Sequence, residues 1–172
     1  MKKMEVIHLI WREYDWNVET IYSDFNTKKD YGIYQIYGDH PVYGENTLLY
    51  IGKARYQTYS VRLAQHNDLI ESHIPVFRKL YLSYFCNTED VNSENWGDCI
   101  DLAEKLLINA HFPAYNSQDV KRPIDKEYFK KELLILNWDE RGKLLPEVSS
   151  LRYSYHFWND KNIDYDKVLE EK

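Results

Sequence analysis

YGIYQIYGDHPVYGENTLLYIGKA, residues 31–54, holds two apolar, tyrosine-bearing runs around a cluster of turn formers. Over 31–37, Tyr31, Ile33, Gln35 and Tyr37 fall on one side of an extended chain. Gly32, Tyr34 and Ile36 fall on the other, which is the two-residue alternation of a β-strand. GDHPVYGEN, with Pro41 and two glycines, interrupts the pattern, and TLLYIG (47–52) returns. The stretch predicts a hairpin with a longish loop, too long for its register to be read. Gly32-Ile33-Tyr34 and Tyr50-Ile51-Gly52 stand at its open end, and Lys53 follows at once.

Working outward, residues 4–14 fit a strand or a short helix, and periodicity does not separate the two. Residues 59–71 predict a helix with Ser60 as N-cap, and 79–86 a third strand. The strongest helix is 95–111, where Cys99, Leu102, Ala103, Leu106, Leu107 and Ala110 make one apolar side and Pro113 ends the run. A short helix at 126–131, a second hairpin from 132–138 and 143–146 around 139–142, a strand at 152–158 and a charged, frayed helix at 160–172 complete the pattern. The order predicts one α/β (α+β) domain, a compact body with a central antiparallel sheet flanked by helices.

The length of 172 residues suits a single domain, 1–172, with a proper core. No apolar run is long enough for a bilayer span, and MKKMEVIHLIWREYD lacks a small-residue cleavage site, so the expectation is a cytoplasmic protein with no membrane partner. Cys86 and Cys99 lack zinc-ligand spacing and read as free thiols. The net charge of −6 argues against indiscriminate nucleic-acid binding. It is unevenly spread, however. Lys53, Arg55, Arg62, Arg78 and Lys79 face only Asp68 and Glu71 within 53–79, and Lys121, Arg122, Lys126, Lys130 and Lys131 face only Asp125 and Glu127 within 121–131. Residues 86–104 hold six acids and no base. Basic patches inside an acidic whole can grip a polyanion locally.

Several residues carry potential chemistry. Arg62 and His66, four apart, share a helix side, and a guanidinium beside an imidazole can hold a phosphate and move a proton. The plainer use of such a pair is a solvated helix face. Glu104 sits at the border of the apolar side of its helix, where it can meet Lys105, reach water or hold one Mg²⁺. Tyr34 and Tyr50 are strand tyrosines in a chain with sixteen, and a phenol is a poor base unless a nearby cation favours phenolate. Lys53 is a candidate for that cation.

The ordered set G-I-Y (32–34), Y-I-G-K (50–53), R-x-x-x-H (62–66), Glu104 and P-x-x-N (113–116) resembles the GIY-YIG nuclease family. The resemblance covers about residues 31–116, half the chain. Arg62 follows Gly52 by ten residues, as the family's helix arginine does, His66 matches the histidine one turn later, and Asn116 matches the closing asparagine. The resemblance implies a hydrolase that cuts phosphodiester bonds of double-stranded DNA with one Mg²⁺ (or Mn²⁺) per site. In it Tyr34 is the general base, Lys53 or His66 favours its phenolate, Tyr50 hydrogen-bonds phosphate or water, Arg62 binds the scissile phosphate, Glu104 holds the metal and Asn116 braces the site.

The chain looks most like the small type II restriction endonucleases of that family, which implies a homodimer for cutting both strands. Residues 1–30 and 117–172 are then elaborations for DNA recognition or dimerisation, with Arg55, Lys121, Arg122, Lys126, Lys130 and Lys131 as DNA-binding candidates. The alternatives are a nuclease of DNA repair, phage or mobile-element processing, and a catalytically silent DNA-binding module of the same fold.

Overall fold

The computed structural model describes residues 4–27, 31–65, 77–86, 95–117 and 132–153. In chain order the elements are β1 (Met4–Asp15), α1 (Val18–Asp24), β2 (Gly32–His40), β3 (Gly44–Ala54), α2 (Tyr59–Ala64), β4 (Phe77–Phe85), α3 (Trp96–His111), β5 (Glu132–Asp139), β6 (Glu147–Ser149) and α4 (Ser150–Tyr153). The six strands form one sheet in the order β3-β2-β4-β1-β5-β6. The fold is thus mixed α+β. The sheet is not wholly antiparallel, because β1 and β5 pair in parallel across Met4–Trp11 and Glu132–Asp139.

Alternation along β2 decides how the two layers form. Ile33 and Tyr37 pack with Ile7, Leu9 and Trp11 of β1 and with Ile100, Ala103, Leu106 and Leu107 of α3. Tyr34 and Ile36 point the other way, into a second core with Ile21 and Phe25 at α1, Tyr59 and Leu63 of α2, and Leu80 and Leu82 of β4. A strand covered on both faces has little exposed surface, and β2 is buried from Gly32 through Gly38. The polar Gln35 is buried too, and its carboxamide accepts from the Tyr37 hydroxyl at 2.9 Å.

The hairpin loop is shorter than the turn formers suggested. β2 runs on through Asp39-His40 and β3 starts at Gly44, leaving three residues between them. Register shifts between Ile36 and Tyr37 and between Gly38 and His40 absorb the extra chain as bulges. Thr58, not Ser60, caps α2: its hydroxyl accepts from Val61 N–H, while Ser60 is buried in the helix's first turn.

α1 had no expected counterpart. Asn17 caps it, accepting from the amides of Glu19 and Thr20. α3 matches its prediction and ends at Phe112 in the left-handed conformation (φ 49°), just before Pro113.

Residues 4–14 are a strand, and the returning strand of the second hairpin is 147–149, not 143–146. Asn137 fills the gap: its carboxamide accepts from Trp11 Nε1 at 2.9 Å and donates to the Leu145 carbonyl at 2.8 Å. Residues 152 and 153 belong to α4, where a strand was expected. The expected elements at 126–131 and 160–172 lie outside the described residues, as do 66–71 of the second helix and 154–158 of the last strand. Among the described residues no helix is long and apolar enough to cross a membrane.

Candidate active site

Both named glycines are dictated by tyrosines. A Cβ on Gly32 would lie 2.3 Å from the Tyr59 hydroxyl and 2.6 Å from the Ser83 carbonyl oxygen. The Tyr59 hydroxyl donates to that carbonyl at 2.6 Å, and the Ser83 hydroxyl accepts from Ile33 N–H at 2.9 Å. Gly52 faces Tyr34 across the β2–β3 pair, and a Cβ there would lie 2.4 Å from the Tyr34 hydroxyl oxygen. The missing side chain at 52 is the room the phenol occupies.

Tyr34 is 0 % exposed. Its ring stacks on Tyr50 (centroids 6.1 Å apart, planes 29° apart) and meets Tyr59 edge-on at 6.3 Å. Arg62, one turn into α2, is the cation that acts on its hydroxyl. Burial drives the Tyr34 pKa well above the usual phenol value, and nearby Tyr50 and Glu104 push the same way, while Arg62 opposes them. The resting group is therefore a neutral phenol. Arg62 also donates to Gln65 Oε1 at 2.8 Å, and Gln65 in turn donates to Gln57 Oε1 at 3.0 Å. Gln65 thus fixes the guanidinium against its own helix.

The second group lies on the other face of β3. Lys53 pairs with Ile33, which packs under α3, whereas Gly52 pairs with Tyr34 under α1 and α2. Lys53 Nζ lies 2.6 Å from Glu104 Oε2 and 3.2 Å from Asp101 Oδ1. Burial disfavours the ammonium, but Glu104 and Asp101 together outweigh it and raise the Lys53 pKa. Arg55 continues the row: its guanidinium pairs with Asp101 and, at 3.0 Å, with Asp98. Acids three apart on α3 (98, 101, 104) thus meet bases two apart on β3 (53, 55), the long side chains spanning the difference between a rise of about 4.5 Å per three helix residues and about 6.6 Å per two strand residues. Glu104 is 7 % exposed.

Asn116 joins the site from the sheet edge. β3 is an outer strand, and the Asn116 carboxamide accepts from Ile51 N–H at 2.9 Å and donates to Ile51 C=O at 2.8 Å. It closes the edge as another peptide would, with Tyr115 N–H bonded to the Leu49 carbonyl beside it.

The structure thus brings Tyr34, Tyr50 and Arg62 together on one side of β3 and Lys53 with Glu104 on the other. Lys53 was one of two cations expected to favour a Tyr34 phenolate. Its ammonium is instead engaged by the two carboxylates, and Arg62 is the cation that lowers the Tyr34 pKa against burial. The other, His66, lies outside the described residues, as do Lys121, Arg122, Lys126, Lys130 and Lys131.

Asp101 and Tyr59 were not foreseen. The three-residue spacing of Asp98, Asp101 and Glu104 beside an apolar helix side was the available signal for the first. Tyr59 matters through a contact between distant segments that carries no local signature. Among the described residues no group of three or more His, Cys, Asp or Glu side chains is arranged to hold a metal ion. The chemistry of the donors still suits a cation: Glu104 and Asp101 already converge on the positive charge of Lys53. Comparison with known protein families, with characterised proteins and with solved structures gives no match to this chain.

Proposed function

We propose that the chain is a divalent-metal-dependent endonuclease that hydrolyses phosphodiester bonds of double-stranded DNA, a nuclease of the GIY-YIG type. The observation that carries this reading is Arg62: a permanently charged fork braced by Gln65 whose field favours ionisation of a fully buried phenol. A core tyrosine needs no guanidinium to pack. A phosphoryl centre needs a fixed cation beside a hydroxyl that can exchange a proton.

In this reading Arg62 grips the non-bridging oxygens of the scissile phosphate and stabilises the charge that grows on them. Tyr34 takes the proton of the attacking water once substrate binding opens a path to its buried hydroxyl, and Tyr50, stacked on it, donates to the phosphate. Arg62 is the chain's own means of bringing the phenol toward ionisation, since it opposes the effect of burial. Asn116 keeps β3, and with it Tyr50 and Gly52, in register. A divalent cation held by Glu104, with Asp101 one turn away, would neutralise the departing 3′ oxygen and cancel the carboxylate's opposition to a Tyr34 phenolate.

The same reading makes the protein a sequence-specific restriction-type enzyme working as a homodimer, because the described residues of one chain offer one such cluster for one strand. Incubation of the protein with plasmid DNA and Mg²⁺ is the test. Discrete fragments are expected from the wild type, and none from Arg62→Ala or Glu104→Gln. Preference for branched DNA would move the reading to repair, and an inactive wild type with Mg²⁺ and Mn²⁺ would defeat it.

A further inference from the structure

Tyr56 is 82 % exposed, the most open of the large apolar side chains among the described residues. It belongs to the short bend between β3, which carries Lys53, and α2, which carries Arg62. Lys53 and Arg62, both cations of the site, therefore flank it in sequence. Its ring is not a loose ornament. The Arg55 guanidinium lies over it, 4.7 Å from the ring centroid. That guanidinium is itself clamped by Asp98 and Asp101 of α3. Arg55 was expected to contact DNA phosphate; with both acids on it, its charge is compensated and it serves as a rigid base under Tyr56.

On the other side of the bend, Gln57 and Gln65 exchange hydrogen bonds at 3.0 and 3.2 Å, and Gln65 holds Arg62. The bend is thus tied at both ends to groups that set the site, while its one aromatic side chain is left to solvent. A cation under one ring face draws π density toward it, and the open surface then favours an electron-rich planar partner. Beside a phosphate-gripping arginine, the planar partner of that chemistry is a nucleobase.

We propose that Tyr56 is a base-stacking platform that receives a base opened out of the duplex stack and so positions the nucleotide next to the scissile phosphate. The proposal rests on the nuclease reading above for the identity of its ligand. Aromatic stacking is sequence-tolerant, so Tyr56 supplies affinity and placement and leaves base reading to other residues. It is a substrate-positioning residue that contacts a base and takes no part in proton transfer.

The test is DNA binding in EDTA, so that no strand is cut, with wild type, Tyr56→Ala, Tyr56→Phe and Tyr56→Leu. The expected loss is roughly tenfold in affinity for Tyr56→Ala and nearly as much for Tyr56→Leu, with Tyr56→Phe close to wild type. Photocrosslinking to duplexes carrying 5-iododeoxyuridine at successive positions should label Tyr56 at one or two positions beside the cut, a signature that a merely structural residue would not give. Equal affinity of Tyr56→Ala and wild type, or crosslinks that never map to residue 56, would overturn the proposal. Plasmid cleavage separates the two ideas. A protein that cuts DNA with an indifferent Tyr56 refutes stacking alone, while ring-dependent binding without cleavage under any metal refutes the nuclease reading alone.

Discussion

Tyr34 and Gly52 face each other across β2 and β3, and the phenol of the first fills the space that a side chain on the second would need. Tyr34 cannot give way, since it is fully buried between Tyr50 and Tyr59. Gly52→Ala is therefore expected to destabilise the fold by about 1–3 kcal/mol, the cost of overpacking a tight core. It should also abolish plasmid cleavage at a temperature where the variant is still folded. Urea denaturation and cleavage at matched temperature read the two effects separately.

Lys53 and Glu104 are unequal members of their pair. Glu104→Gln leaves Asp101 to hold the ammonium, whereas Lys53→Met leaves two carboxylates facing each other across a half-buried gap. Lys53→Met should cost about 1–3 kcal/mol, less than the full penalty for a deeply buried pair, and Glu104→Gln clearly less. Cleavage should order the other way in one respect: Glu104→Gln falls by at least about a hundredfold even though it is the more stable variant. An equal or greater loss of stability in Glu104→Gln would mean that Asp101 does not share Lys53.

Asn116 bonds both polar groups of Ile51 with one carboxamide. Asn116→Ala strips both at a partly buried edge and should cost about 1–3 kcal/mol. Asn116→Asp keeps an acceptor for Ile51 N–H but sets a carboxylate against Ile51 C=O, so it should not rescue. Amide hydrogen exchange at Ile51 is the direct measurement. Protection there should fall in both variants, and unchanged protection would remove the bracing role.

His111 gives the fold a pH dependence of known sign. Its Nδ1 contacts the Leu107 carbonyl at 2.8 Å and its Nε2 accepts from Leu145 N–H at 2.9 Å, which requires a neutral ring with the proton on Nδ1. Burial holds its pKa below the usual 6.5, against the Leu107 bond that favours the proton. As pH falls below about 6.5, the unfolded chain binds a proton that the folded chain refuses, so stability declines until the folded pKa is passed. Above that window the contribution is fully present. The wild type should lose more stability than His111→Ala between pH 7 and pH 5 in denaturant titrations. Parallel pH curves for the two would show that His111 is not the group.

Much of this was legible in the residues. Strict alternation in 31–37 identified β2 and told which side chains share a face, and the same rule already set Gly52 and Lys53 on opposite sides of β3. The apolar periodicity of 95–111 was strong enough to predict α3 nearly to the residue. The hairpin loop misled because Pro41 and the glycines signal a turn without saying how much of it bulges back into the ladder. Thr58 and Ser60 are equally good caps by chemistry, and only burial of Ser60 in α2 separates them.

The sequence alone determined the two faces of the hairpin, the strongest helix, and the presence in order of phenol, guanidinium, carboxylate and carboxamide. Tertiary structure decided which charge meets which. Arg62 reaches Tyr34 because α2 packs on the face where the phenol points. Lys53 is bound by Glu104 and Asp101 because α3 covers the opposite face. It also decided that β1 lies parallel to β5, more than a hundred residues away, and that Asn116 closes the edge of β3. Local periodicity records the direction of a side chain from its own backbone. The partner it finds there depends on which distant segment folds over it, and that is set by burial of the whole sheet at once.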